Sequence, residues 1–214
     1  MSMSLSAPAK QMSSITSLPG ASAGVEQQSS RLLPALFGRL SVKRVRVFEA
    51  GPVSPATISF IGQVPSRIHV CDLFSAPLVR TLQTELSEKE MKREFQELLD
   101  FKVGTMIDVC LFWDFLNYLN RPALRAFSAA LKPYVHPGTR AHGFTVLNVE
   151  TPLRNQQYGI IDHETISVRP GPSPQLDYYP HSHEELNQCL GCFEVGRGWL
   201  LPDGRLEILL EATV

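Results

Sequence analysis

Three short stretches of the chain hold residue types that could do chemistry together. Glu49-Ala50-Gly51 follows one β-rich run, Asp72 closes a second, and Trp113-Asp114 follows a third. A glycine just after a strand lets backbone approach a ligand with no Cβ in the way. An acidic residue roughly twenty positions later, at the end of the next strand, is placed to accept hydrogen bonds from ribose hydroxyls, as in dinucleotide-binding folds. Each residue also has a plainer role. Gly51 serves a turn, Glu49 caps or pairs near the loop, and Asp72 is solvated. Trp113 and Tyr118 belong to the core or to the lip of a cleft. Asp114 is the candidate polar group within such a cleft, and Asp114 or a nearby histidine is the candidate base if one is used.

A rival set lies near the C-terminus. His181-x-His183 and Cys189-x-x-Cys192 are residue types that bind zinc tetrahedrally. Ser182-x-x-Glu185, however, has capping-box spacing. A short helix starting there separates the histidines from the cysteines by about 10 Å of helix rise, so no metal is assigned. His69, His136, His142 and His163 are scattered, and no Ser-His-Asp or Cys-His arrangement emerges.

The elements that must position these residues alternate between strand and helix. Val45, Val47 and Phe48 form the first β-rich run of the domain. Ser54-Pro55 supplies an N-cap followed by Pro at the first helical position, opening a helix through Ile61. Arg67 to Asp72 is the second strand. Ser87-x-x-Glu90 is a capping box for a helix to about Asp100, with Met91, Phe95, Leu98 and Leu99 on one face. Met106 to Phe112, apolar apart from Asp108, suits a central parallel strand buried on both faces. Asn120 caps a helix carrying Leu124, Phe127, Ala130 and Leu131 inward and stopping at His136-Pro137-Gly138. Gly143 to Leu147 is the next strand. Gln157 to Val168 supplies an extra strand pair, and Phe193 to Glu211 a closing hairpin turned by Pro202-Asp203-Gly204. No strand is found between Leu73 and Lys102. Residues 1–30, rich in Ser, Ala, Gln and Gly, form a disordered leader. Residues 31–214 form a single domain that begins with an apolar patch at Leu32, Leu33, Leu36, Phe37 and Leu40.

Over roughly residues 40 to 214, this order of elements resembles the class I S-adenosylmethionine (SAM) methyltransferase family. The resemblance rests on Glu49-Ala50-Gly51, on Asp72, and on Ile107 to Asp114 with Leu116 to Leu119. The closing pair, Phe193 to Val195 and Leu206 to Leu210, completes it. It implies an α/β, Rossmann-like, doubly wound and mostly parallel sheet ending in an antiparallel hairpin. It implies SAM as cofactor and a small molecule or a protein as substrate. Glu49 would hold the loop and the amino-acid end of SAM, Gly51 would let the backbone approach, and Asp72 would bind the ribose. Trp113 and Asp114 would lie beside the methyl-transfer site. The loop departs from the family in Gly51-Pro52-Val53-Ser54-Pro55, where the family has further glycines. Two prolines remove two backbone donors and fix φ, and they narrow the cofactor cleft. The alternative is a protein that kept the fold and lost the chemistry, binding a protein partner instead.

Bulk properties narrow the rest. Formal net charge is -1, which gives no global field toward nucleic acid or an anionic membrane. No apolar run reaches the roughly 18–20 residues that span a bilayer. Cys71, Cys110, Cys189 and Cys192 do not form a disulfide framework, and a reducing cytoplasm is the simplest compartment.

Overall fold

The computed structural model describes residues 24–38, 44–171 and 176–214. Along the chain run β1 (Glu26–Ser29), α1 (Leu33–Phe37), β2 (Val45–Glu49), α2 (Pro55–Ile61), β3 (Ser66–Val70), α3 (Glu88–Leu99) and β4 (Ile107–Trp113). They are followed by α4 (Arg121–Leu131), β5 (Val135–Thr145), β6 (Gln156–Ile160), β7 (Thr165–Pro170), α5 (His183–Cys189), β8 (Phe193–Leu200) and β9 (Leu206–Ala212).

A six-stranded sheet has the order β3-β2-β4-β5-β9-β8. β3, β2, β4 and β5 are parallel neighbours, and β9 and β8 close the sheet as antiparallel strands. The architecture is therefore the doubly wound, mostly parallel sheet with a terminal hairpin expected from the sequence. The chain leaves β2 for β3 on one side, then returns across β2 to place β4 on the other. That reversal puts a crevice at the carboxyl ends of β2 and β4. No strand forms between Leu73 and Lys102. A short 3-10 turn, a π-turn at Leu78–Leu82 and α3 fill that stretch, so β3 is the outer edge.

Local signals account for the helices. Ser54 and Asn120 cap α2 and α4 through side-chain bonds to Thr57 and Ala123, and both helices open with Pro in the first turn. Ser87 and Ser182 form full capping boxes with Glu90 and Glu185. On one side of the sheet α3 packs on α4, with Phe95 and Phe127 edge to face at 5.4 Å. On the other side lie α1, α2 and a three-stranded antiparallel sheet of order β1-β7-β6.

Two expectations change. The segment 24–30, assigned to the disordered leader, contains β1, which pairs with β7 from Glu26↔Val168 to Ser29↔Thr165. Its Gln- and Ser-rich sequence has no apolar period of its own, and its order comes from backbone bonds to a strand far along the chain. Residues 1–23, and Leu40 of the apolar patch, lie outside the described residues. β5 also starts well before Gly143. Ile107 faces Val135 and Val109 faces Arg140, so residues 136–139 bulge opposite Asp108. The His136 amide donates to Thr139 Oγ1 at 2.9 Å, and that hydroxyl donates to the Ile107 carbonyl at 2.6 Å. A bulge takes Pro137, which lacks an N–H, out of the ladder. The motif that looked like a helix stop is thus a kink inside a strand.

The small sheet is tied down through Glu207 of β9. This fully buried carboxylate accepts from the amides of Arg31 (3.0 Å) and Leu32 (3.4 Å), from the Ser30 hydroxyl, and from His142 Nε2 at 2.8 Å. Burial alone would raise its pKa. The bonds from His142, Ser30 and the Arg31 backbone outweigh burial and hold it below the ordinary value of 4.5. A carboxylate depressed in the folded state stabilises the fold above its unfolded pKa, and that contribution is lost as pH falls through the folded value. Replacing Glu207 by Ala strands the donors of the 30–32 segment. The expected cost is about 3 kcal/mol in urea denaturation at neutral pH, shrinking well below pH 4.5. An unchanged midpoint would show that the segment does not depend on this carboxylate.

Candidate functional site

The ends of β2, β3 and β4 bring Gly51, Asp72 and Trp113 to one cleft. Phe74 and Ser75 flank it, and Gln156–Tyr158 of β6 form the opposite wall. Asp72 is exposed at the mouth. Its Oδ2 accepts from the Ser75 hydroxyl at 2.6 Å, which leaves acceptor capacity for a hydroxylated ligand. The cleft is narrow, with a volume of about 70 Å³.

Glu49 lies beneath this cleft, not in its lining. It is fully buried, with Oε1 accepting from the indole N–H of Trp113, while Oε2 has no partner. Burial pushes its carboxyl up to about 8, with the indole bond pulling the other way. Trp113 adopts a left-handed backbone with φ 51°, rare for a bulky residue. Its carbonyl turns into the space left by Gly143 on β5, where a Cβ would stand 2.8 Å from that oxygen. The indole then stacks on Tyr158, with centroids 5.3 Å apart and planes 13° from parallel.

Asp114, the candidate base, is buried and does not line the cleft. Its Oδ2 accepts from the hydroxyls of Tyr118 and Tyr158, each at 3.3 Å, and Oδ1 has no partner. Arg205 donates to the Tyr158 oxygen at 2.9 Å, and its guanidinium lies 5.0 Å over the Phe144 ring. Burial lifts the Asp114 carboxyl to about 7 against the pull of Arg205 and of its hydrogen bonds. Asp114 therefore acts on Tyr158 and not on a ligand in the cleft.

The narrowing expected from the prolines has a different source. Pro55 opens α2, and Val53 does not line the cleft. Pro52 does line it, with its carbonyl held by Gln157 Nε2 at 3.0 Å. Strand β6 lies across the start of α2. A Cβ on Gly159 would collide with Ser54 Oγ, and the Ile160 amide donates to Thr57 Oγ1 at 3.1 Å. The space over Gly51 is taken by Phe74, whose Cε2 would stand 3.0 Å from a Cβ there. Neither Phe74, Gln157 nor Tyr158 belongs to a motif, and only a β-rich run marks the last two.

The histidine–cysteine set is dispersed into other bonds. His181 Nε2 sits 2.8 Å from the Leu119 carbonyl, and Cys192 Sγ lies 3.3 Å from the Ser128 hydroxyl. Among the described residues, no group of three His, Cys, Asp or Glu could hold a metal ion.

No protein-family model and no curated protein matches the chain. Solved structures do resemble it. The pyocyanin biosynthetic protein PhzM is 11% identical with a TM-score of 0.43, over 85% of this chain and 54% of that one. The 1,6-didemethyltoxoflavin-N1-methyltransferase of Burkholderia thailandensis is 14% identical with a TM-score of 0.46, covering 86% and 76%. The glycopeptide N-methyltransferase MtfA, complexed with SAM, is 13% identical with a TM-score of 0.45, covering 85% and 92%. The chain thus spans about half the length of PhzM.

The raised carboxyls carry a pH signature. Glu49 and Asp114 hold protons when folded that they release when unfolded, from their ordinary values of 4.5 and 3.8 up to about 8 and about 7. Stability therefore falls as pH rises through that window, by up to about 1.4 kcal/mol per pH unit for each group. Urea denaturation between pH 5 and 8 should show the decline, and Glu49→Gln should make it shallower, leaving the Asp114 contribution below about pH 7. A slope unchanged in that variant would contradict the buried, protonated Glu49.

Proposed function

We propose that the chain is a SAM-dependent methyltransferase whose cofactor enters the cleft at the ends of β2, β3 and β4. The observation that carries this reading is the convergence of Gly51, Asp72 and Trp113 at the reversal of strand order. Ligands of open α/β sheets sit at that place. Asp72 would bind the ribose hydroxyls, and Gly51 would admit the nucleoside without a Cβ. Trp113 and Tyr158, stacked on each other, would line the cleft beside the cofactor. SAM itself supplies the methyl electrophile. Glu49 and Asp114 act one layer deeper, fixing Trp113 and Tyr158. The acceptor is a small molecule or a protein. The cysteines are unpaired thiols, in keeping with a reducing cytoplasm.

The volume of about 70 Å³ is well below the roughly 300 Å³ at which ligand pockets begin. Phe74 must therefore turn away from Gly51 for a nucleoside to enter. The same contact favours the second reading, a scaffold that kept the fold without the chemistry. Calorimetric titration with SAM and its demethylated product separates the two. The methyltransferase reading expects a Kd of about 1–100 μM, roughly 5.5–8 kcal/mol. Asp72→Ala should weaken binding about tenfold through its lost hydrogen bonds, and Phe74→Ala should tighten it. No binding to the folded wild type or to the Phe74 variant would leave the scaffold reading.

A further inference from the structure

A second cavity, of about 360 Å³, opens between β1, residues 152–156 and the turn joining β8 to β9. Its polar lining comprises residues 26–28 of β1 with Arg154, Gln156, Asp203 and Arg205. Arg205 is a built part of the protein, only 5% exposed. It donates from Nε to Asp203 at 2.8 Å, from Nη1 to Gln156 (3.2 Å) and Tyr158 (2.9 Å), and from Nη2 to Gln28 Oε1 at 2.8 Å. A guanidinium carries five N–H groups, so these four bonds leave one on Nη2.

The neutralisation of Arg205 is also incomplete. Its one carboxylate partner, Asp203, has a side chain 51% exposed. Its other acceptors are neutral amide and phenol oxygens, and nearby Asp114 is shifted toward its neutral form. A buried cation is stable when paired, and this one is paired at the solvent side only. Two more donors stand beside it. The Gln28 amide nitrogen is buried without a partner, which in a folded protein calls for an explanation. Arg154 makes no ion pair among the described residues. Glu26 and Asp203 match the two arginines in number, which disfavours a multiply charged phosphate. Both carboxylates are exposed while Arg205 is buried, so solvent screens them more than the guanidinium.

We infer that this cavity is a second ligand site, for a small molecule bearing a carboxylate that Arg205, Gln28 and Arg154 receive. Gln156 lines both cavities. On the reading of the first cleft as the SAM site, the bound acid is the methyl acceptor.

The test is a set of NMR chemical-shift titrations on the full chain without SAM, so that it stands apart from the cofactor titration. The probes are propionate, its neutral isostere propionamide, and inorganic phosphate. Propionate should saturate, with shifts at residues 26–28, 154–156 and 203–205, and the other two should bind more weakly. Arg154→Ala should weaken propionate about tenfold, as for the loss of one charge-assisted bond. Gln28→Glu puts a carboxylate against Arg205, and should abolish propionate binding while raising the melting temperature. The site is refuted by a folded wild type that does not saturate with propionate, by equal binding of propionamide, or by an unchanged affinity in Arg154→Ala. Binding of phosphate in place of propionate would overturn the carboxylate assignment.

Discussion

The bond between Glu49 and the Trp113 indole organises the functional end of this protein. It ties the end of β2 to the end of β4 across the reversal in strand order. The two strands are parallel neighbours paired as far as Glu49↔Leu111, and the Ala50 amide donates to the Leu111 carbonyl at 3.0 Å just beyond. Fixing Trp113 also fixes what stacks on it. Tyr158 lies flat on the indole, so the position of β6, and with it one wall of the cleft, follows from a carboxyl buried beneath the sheet. The arrangement is costly. An unpartnered polar atom in the interior costs about 1–3 kcal/mol, and here both Glu49 and Asp114 keep one oxygen without a partner. The left-handed backbone of Trp113 adds strain. Departures from local rules that gather at one place mark a site better than any one of them alone.

The small sheet of β1, β7 and β6 gives the cleft its roof. It is not held by a long hydrophobic interface alone. Glu207 grips the turn between β1 and α1, Arg205 ties Gln28 of β1 to Gln156 and Tyr158 of β6, and both residues come from the β9 end of the main sheet. Charged and polar groups from one strand thus set the distance between roof and floor. Through Glu207 the position of the roof is sensitive to protonation.

Much of the fold was legible because its signals are local. Ser54-Pro55, Ser87-x-x-Glu90, Asn120 and Ser182-x-x-Glu185 start helices where their chemistry says they should. The apolar run of β4, interrupted only by Asp108, marks the centre of the sheet. What could not be read depends on partners distant in sequence. β1 is polar and finds its order only against β7. His136-Pro137-Gly138 signals a break in any local pattern, yet its neighbours Val135 and Arg140 are claimed by β4. At the site, Glu49, Gly51, Asp72 and Trp113 stand out by their places at strand ends. Phe74 and Tyr158 do not, since an aromatic residue in a loop or edge strand has many equivalent roles. Asp114 shows the opposite failure, for its place beside Trp113 suggests a cleft and its side chain turns inward.

On the proposed function, SAM binds in the cleft lined by Gly51, Asp72, Trp113 and Tyr158. Photochemical cross-linking of SAM to the purified chain, with the attachment site mapped by mass spectrometry, addresses it directly. Label on residues 49–53, 72–75 or at Trp113, competed by excess demethylated product, is the predicted result. Label confined to other parts of the folded chain, or none at saturating SAM, would contradict it.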